Sequence, residues 1–362
     1  MNKELWSRQI CLIIIAFIPI NKLFAMPSIL AKNASEDMWI CCLISLVVDF
    51  LCLLAVIYTM KKTHLDFYSL LQNCLGKVGA KIILFSYFIF FLLKAVIPIN
   101  EQKEYIDLTL YTLKPSVFYF LPFFISAFFL CIKRLRILGR ASDVCWALTL
   151  VGFVILLSLS LGNADFNALL PIGAQGAKNI FSGWYKTLNW FGDCAYFVFF
   201  IGEFQFNKKD GIKIALSYLL CAVIVMTFII VFYCIFTSIA YRQRFAFTEI
   251  SKYTTVINNL GRFDYIGIIF LMFSNFFTLS LPLFFACHIL NKIFNIKRPY
   301  ISALIVICIQ IIPILFFSRF YSGIEYFAQN YAGIIFLIFG NVIPVLTPLL
   351  TLRRKVYANS KS

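Results

Sequence analysis

The sequence predicts an all-α polytopic membrane protein of about ten transmembrane helices, in a 5+5 inverted repeat with helices one and six broken. Three observations predict it: an extreme apolar composition, ten long apolar segments, and helix breakers at matching places in the two halves. Of the 362 residues, 62% are hydrophobic and 13% charged, with a mean hydropathy of +0.89. Soluble domains are roughly 45–50% apolar and 25% charged. Lipid must therefore surround most of this protein.

Ten segments are long and apolar enough to cross a bilayer, which takes about 20 residues of helix. In chain order they are 9–31, 38–60, 82–100, 115–132, 144–164, 187–206, 214–241, 265–291, 299–318 and 326–352. Six of the ten carry no acidic or basic residue. The other four are interrupted by Lys22, Asp49, Lys94, and the pair Asp193 and Glu203.

The loop charges predict that both termini lie in the cytoplasm. With the N-terminus inside, the inner segments hold about twice as many Lys and Arg residues as the outer segments, which is the usual bias of membrane proteins. The basic loop 241–264 is the exception. The net charge of +16 thus reflects orientation in the bilayer, and no nucleic acid partner is expected. We expect span one to be retained rather than cleaved as a signal peptide, because its apolar run continues to Ala31.

No catalytic, cofactor or metal site is predicted. Most of the 12 cysteines lie inside apolar runs and are typical of small buried hydrophobic residues. The two histidines are His64 and His288. The G-x-S-x-G, H-E-x-x-H and P-loop patterns are absent. We therefore expect no enzyme, and any transport would be driven by a gradient.

Helix breakers divide the chain into two related halves. We expect a single transmembrane domain with a first repeat over about 9–164 and a second over about 187–352. Pro19, in span one, removes a backbone donor and is followed by polar residues. Gly192 weakens span six beside polar neighbours. Such breaks, at corresponding places of two halves, indicate the binding site of a secondary transporter.

Charges within the spans are the next candidates, because an ionisable residue at bilayer depth costs about 2.5–3.5 kcal/mol on insertion scales. Lys22 and Asp193 lie at the two breaks and are interpreted either as a gate or substrate anchor, or as a structural ion pair. Asp49 either relays protons or pairs with Lys22 or Lys94. Lys94 is expected to reach the outer surface, and Glu203 to lie at the interface.

Span eight contains the polar residues Ser274, Asn275, Thr278 and Ser280. Residues three or four apart share a face of a helix. They could contact a substrate or cation, or they could hydrogen-bond a neighbouring helix, as such residues commonly do.

The sequence contains several short motifs of interest: SRQ at 7–9, MPS at 26–28, ASEDMW at 34–39, LRILGR at 135–140 and NALLPI at 167–172. Together they resemble the motifs of the spore germination permease family, the membrane B-subunits of nutrient germinant receptors. The pattern departs from the family before span four, where Lys114-Pro115 replaces the usual Thr-Pro. Lys22 and Asp193 are also charges that the family pattern does not predict.

The resemblance implies an amino acid/polyamine/organocation transporter fold and a small-molecule substrate, with an amino acid expected. It implies A-type and C-type receptor subunits as partners, beside the lipid bilayer, in the inner spore membrane or plasma membrane. The substrate would lie between spans one, three, six and eight. With the charged and polar candidates added, the predicted substrate-binding residues are Pro19, Ile20, Asn21, Lys22, Asn189, Gly192, Asp193, Asn275 and Thr278. A stand-alone cation-coupled amino acid importer is the alternative, and a membrane protein without a ligand is a third possibility.

Overall fold

The computed structural model describes residues 5–63, 65–110, 117–133, 135–252, 264–316, 323–324, 326–328 and 330–359. His64, Arg134 and the Lys114-Pro115 motif lie outside these residues. The described residues form helices joined by short connections, and an isolated bridge joins Leu5 to Phe204. The helices are α1 (Ser7–Phe17), α2 (Met26–Ala34), α3 (Met38–Lys62), α4 (Phe67–Leu110), α5 (Val117–Ile132), α6 (Arg136–Ser160), α7 (Gly176–Lys186), α8 (Cys194–Val198), α9 (Asp210–Phe236), α10 (Ala246–Lys252), α11 (Asp264–Phe294), α12 (Pro299–Phe316), α13 (Gly333–Leu337) and α14 (Ile343–Asn359).

The predicted fold class is confirmed: the protein is an all-α integral membrane protein. Within the described ranges, five helices are long and apolar enough to cross a membrane, and three shorter apolar helices accompany them. The remaining two spans, one and six, are those in which the helix is interrupted. Each half of the chain therefore opens with a broken helix, as the sequence predicted.

Span one breaks where Pro19 interrupts the apolar run. Helix α1 ends at Phe17, a short 3₁₀ turn covers Ile20–Lys22, and α2 resumes at Met26. Proline cannot donate the backbone hydrogen bond that would continue α1, and its ring clashes with the preceding turn. The amides of Lys22 and Leu23 instead bond to the carbonyls of Pro19 (2.9 Å) and Ile20 (3.0 Å). The break places Lys22 inside the protein, where it is fully buried.

Span six breaks at Gly192. The amphipathic helix α7 precedes the break, a 3₁₀ turn covers Leu188–Trp190, and the five-residue α8 follows. Gly192 has φ +73°, a left-handed conformation that favours glycine because it has no Cβ. The predicted segment 187–206 thus contains the 3₁₀ turn, the break and α8, and α7 directly precedes that segment.

Packing brings the broken spans to the centre of the bundle. Helix α1 packs on α6, α9 and α11, and α4 packs along α11. Helix α3 packs on α7, α8, α9 and α14. The two breaks therefore have α3, α4 and α11 as neighbours, and side chains on those helices can reach them.

Part of the basic loop 241–264 folds back onto the helix bundle. The described part, α10, has buried side chains at Phe247 and Ile250 and packs on α2, α6, α9 and α11. The rest of that segment lies outside the described residues.

Candidate functional site

The two breaks meet at an ion pair between Lys22 and Asp193. The Lys22 Nζ donates to Asp193 Oδ2 and also, at 3.3 Å, to the carbonyl oxygen of Ile18. Side-chain exposure is 0% for the lysine and 5% for the aspartate. A buried charge is costly unless it is paired and hydrogen-bonded, so each of these residues depends on the other. The ion pair joins the two halves of the protein at the point where their helices open.

Lys94 also lies at this centre, which corrects the expectation that it reaches the outer surface. Its side chain is 1% exposed, and Nζ lies 3.6 Å from Asp193 Oδ1. The same ammonium donates to the carbonyl oxygen of Phe191 at 2.5 Å. It also faces the ring of Tyr196, 5.4 Å from the centroid. The break in span six exposes that carbonyl and draws the lysine inward.

Asp49 is bound by neutral donors rather than by a lysine. Its carboxylate accepts hydrogen bonds from the backbone amide of Gly192 at 3.0 and 3.2 Å and from Asn341 Nδ2 at 2.7 Å. Its carbonyl oxygen accepts from Cys194 Sγ at 3.1 Å. The carboxylate satisfies an amide that the break leaves without a helical partner. The expected pairing of Asp49 with Lys22 or Lys94 is therefore not seen among the described contacts, in which Asp49 instead links Gly192 to Asn341.

A small cavity lies beside these charges. It is lined by Ile13, Phe17, Ile18, Asn21, Lys94, Pro98, Asp193, Tyr196, Phe197, Phe200, Thr278, Leu281, Pro282 and Phe285. The centre of a water molecule can move within about 20 Å³ of it, and one ordered water needs roughly 10–15 Å³. In this conformation the cavity has room for about one water. A nutrient molecule would therefore need the walls to move apart.

Three of the predicted binding residues line this cavity: Asn21, Asp193 and Thr278. Thr278 also donates to the carbonyl oxygen of Phe17 at 3.3 Å, at the end of α1. Asn275 points elsewhere and donates to Gln102 Oε1 at 2.7 Å. Thus span eight both lines the cavity and hydrogen-bonds its neighbours.

The other predicted residues lie in the breaks but outside the cavity wall. Pro19 and Ile20 form the turn of the first break, and Gly192 forms the second. Asn189 is buried, and its Nδ2 has no hydrogen-bond partner among the residues that the structure describes. The interior of the bundle therefore contains an unused amide donor one turn before Gly192.

Sequence reasoning did not assign Lys94, Tyr196 and Asn341 to the site. Lys94 was recognised as a charge within a span, but its direction could not be read from span three alone. Asn341 is a polar residue in the apolar span ten, within a π-helical turn over Ile338–Val342, and such turns are frequent at functional sites. The polarity of Asn341 was the signal that could have found it. Among the described residues no group of three or more His, Cys, Asp or Glu side chains could hold a metal ion.

Further contacts lie to either side of the cavity. Towards α2, the rings of Phe24, Tyr105 and Phe245 contact one another with centroids 5.1–5.4 Å apart. At the opposite end, Lys292 Nζ lies 2.7 Å from Asp66 Oδ2 and 3.8 Å from Glu203 Oε1. These two clusters connect different spans, so they must rearrange if the bundle opens.

The Asp66 cluster lies in the connection between α3 and α4. Burial raises the pKa of Asp66, but the Lys292 ammonium and the hydrogen bond from Ser69 outweigh burial and leave that pKa lowered. Glu203 is half-buried beside Lys292, and its expected position at the membrane interface stays a prediction.

The sequence matches the model of a family described as spore germination protein over residues 4–347. A crystal structure of a manganese transporter from Eremococcus coleocola aligns with 94% of this chain and 78% of that chain, at 13% identity and a TM-score of 0.49. A comparison with curated protein sequences finds no match.

Proposed function

Because the chain belongs to the spore germination protein family, a family of membrane permeases, we propose that it is the membrane subunit of a nutrient germinant receptor. In this proposal it binds a small nutrient, an amino acid, beside the broken helices. The signal then passes to A-type and C-type partner subunits and triggers spore germination. The protein lies in the inner spore membrane or plasma membrane, with both termini in the cytoplasm.

The observation that carries this proposal is the meeting of the two breaks at Lys22 and Asp193, beside a buried cavity. Breaks in corresponding helices are tolerated in a membrane where they line a cavity, and they form substrate sites in transporters built from inverted repeats. The cavity is small in this conformation, so binding must couple to movement of the helices around it. A receptor needs that coupling, because binding has to change the surface presented to its partners.

A cation-coupled amino acid importer is the second candidate. The observation that favours it is the concentration of Lys22, Asp49, Lys94 and Asp193 near one cavity, all buried. Ionisable groups at bilayer depth often mark the pathway of a substrate or ion. Uptake of radiolabelled amino acids into vesicles, with an imposed sodium or proton gradient, decides between the two candidates. Accumulation above the gradient-free control supports the importer.

The receptor is tested in spores that carry variants of the chain. Asp193→Asn removes the charge that joins the two breaks, and for a receptor we expect it to abolish the nutrient-triggered response while the wild-type protein shows no amino acid uptake. The matched control is Asp143→Asn, because Asp143 makes a partly exposed ion pair with Arg8. If Asp193→Asn and Asn21→Ala both leave nutrient binding unchanged, the proposed site is wrong.

A further inference from the structure

Helices α3 and α9 each present an apolar stripe on the surface of the bundle. In each stripe the side chains are spaced four, three and four residues apart, so they share one face of the helix. The side chains of the α3 stripe are 41–58% exposed and belong to Val47, Leu51, Leu54 and Tyr58. Those of the α9 stripe are 44–66% exposed and belong to Ile212, Leu216, Leu219 and Val223. At the depth of the bilayer these faces contact acyl chains.

The two stripes border one groove. The end of α3 meets the start of α9, where a Cβ on Gly211 would lie 3.0 Å from Cγ2 of Ile57, so the two helices run antiparallel here. Since about 3.6 residues make one turn, Ile57 and Gly211 each lie about a quarter turn from their own stripe. The opposite faces, at Val56 and Cys221, are buried in the core. The stripes therefore face outward together, and the contact between α3 and α9 forms the base of the groove.

Exposed lysines lie at one end of this groove. They are Lys61 and Lys62 at the end of α3, and Lys208, Lys209 and Lys213 around the start of α9. In the described contacts these lysines have one acidic partner, the buried Asp210, 4.0 Å from Lys213 Nζ. The acidic residues next along the chain, Asp66 and Glu203, pair with Lys292. The five lysines, which we call the lysine patch, are thus strongly positive, at the end of the bundle that the loop charges predict to face the cytoplasm.

The lysine patch is continuous with the apolar stripes. Lys62 extends along the surface, since its Nζ lies 5.5 Å from the centroid of the Tyr58 ring, at the last position of the α3 stripe. Lys209 and Lys213 lie three residues before and one residue after Ile212, the first position of the α9 stripe. Orientation in the bilayer requires only basic residues in a loop. Lysines from two helices above a shared apolar groove fit, in addition, an amphipathic ligand with an anionic head.

We propose that this groove binds an anionic phospholipid with two phosphates, such as cardiolipin. Its phosphates contact the lysines of α3 and of α9, and its acyl chains lie along the two stripes. The axes of packed helices are about 8–10 Å apart, so the two groups of lysines are separate, and a head with two phosphates can reach both. Basic pockets between transmembrane helices on the cytoplasmic side bind such head groups. The bound lipid connects the end of α3 to the start of α9.

Titration of the full-length protein with lipid, in an uncharged detergent, tests the proposal. Thermal shift and native mass spectrometry compare cardiolipin, phosphatidylglycerol and phosphatidylcholine at equal numbers of phosphates. Cardiolipin should bind about 30-fold more tightly than phosphatidylglycerol, which reaches one group of lysines and forgoes about two lysine contacts. Phosphatidylcholine and inorganic phosphate should leave the thermal midpoint unchanged, because the first has no net charge and the second has no acyl chain.

Three results of this titration would overturn the proposal. Equal stabilisation by phosphatidylcholine would mean unspecific contact with lipid tails. Equal stabilisation by inorganic phosphate would mean an anion site that does not use the stripes. Equal affinity for phosphatidylglycerol and cardiolipin would exclude recognition of two phosphates.

A double substitution assigns the effect to the lysine patch. Lys62→Gln with Lys209→Gln removes one charge from each helix and should weaken cardiolipin binding about 30-fold. The thermal midpoint without lipid should stay unchanged, because both side chains are exposed. Lys77→Gln with Lys81→Gln is the matched control, since both lysines are exposed on α4 and the same charge is lost. Equal weakening in the two double variants would show attraction to overall charge and overturn the site. Nutrient binding does not enter these measurements, so their failure leaves the proposed function standing.

Discussion

Gly192 and Gly340 approach each other back to back: a Cβ placed on Gly340 would lie 2.7 Å from the Cα of Gly192. The contact joins the break in span six to the π-helical turn of span ten. Asp49 reinforces it, since its carboxylate binds both the Gly192 amide and Asn341. Span ten therefore fixes the position of the second break.

Alanine at this contact should destabilise the protein. Gly340→Ala forces the two backbones apart, at a cost of about 1–3 kcal/mol. Gly192→Ala adds the strain of a left-handed alanine, about 1–2 kcal/mol, because its φ is +73°. Gly173→Ala is the control, since Gly173 has φ +82° and nothing within 4 Å of its Cβ position. The midpoint of SDS-induced unfolding should be highest for Gly173→Ala, lower for Gly340→Ala and lowest for Gly192→Ala. A midpoint of Gly340→Ala equal to that of the wild type would contradict the close contact.

The buried pair of Lys22 and Asp193 should matter far more to stability than an exposed pair. Lys22→Met leaves Asp193 with only the distant Lys94, and loss of one partner of a buried pair costs about 3–5 kcal/mol. Arg8→Met removes the partner of Asp143, where the arginine is 76% exposed, and should cost about 0–1 kcal/mol. Adding Asp193→Asn to Lys22→Met should restore part of the loss. Equal effects of the two methionine variants, in the same unfolding assay, would show that Lys22 is not essential to the fold.

Thr278→Val tests the hydrogen bond that satisfies the end of α1. Thr278 Oγ1 donates to the Phe17 carbonyl at the end of α1, and the loss of a hydrogen bond costs about 0.5–1.5 kcal/mol. Thr227→Val is the control, because Thr227 donates to the carbonyl of Val223 within its own helix. We expect a lower thermal midpoint for Thr278→Val alone. A similar midpoint for both variants would mean that water or another group replaces the threonine.

The stability contribution of Asp66 should depend on acid pH. Its pKa is lowered in the folded state from an ordinary value of 3.8, so its contribution is complete above about pH 4 and is lost as the pH falls through the folded pKa. Asp66→Asn should therefore lower the thermal midpoint near neutral pH, and the difference from wild type should shrink towards pH 3. In a Lys292→Met background the pH-dependent part should largely disappear. A constant difference from pH 7 to pH 3 would exclude the ion pair as its source.

The sequence predicted the position of both breaks, because a break has local causes. Pro19 cannot continue a helix, and Gly192 occupies a conformation that other residues avoid. Both effects depend on the residue and its immediate neighbours. Helix α7 was not predicted as part of a span because it is amphipathic and gives no continuous apolar run, although the helix leads directly into the break.

Side-chain partners at the site could not be predicted in the same way. Lys94 and Asp193 are 99 positions apart in the sequence, and whether a lysine in a span turns inward depends on which helix packs against it. The carbonyl of Phe191, released by the break, decides the direction of Lys94. Asp49 shows the same dependence, since its partners come from spans six and ten.

The four formal charges beside the breaks, on Lys22, Asp49, Lys94 and Asp193, sum to zero. Moving one elementary charge across 100 mV of membrane potential takes about 2.3 kcal/mol. A rearrangement that carries these four groups together transports no net charge, and a bound zwitterion adds none. Such a transition is insensitive to voltage, so a current evoked by a neutral amino acid would have to come from a coupled ion.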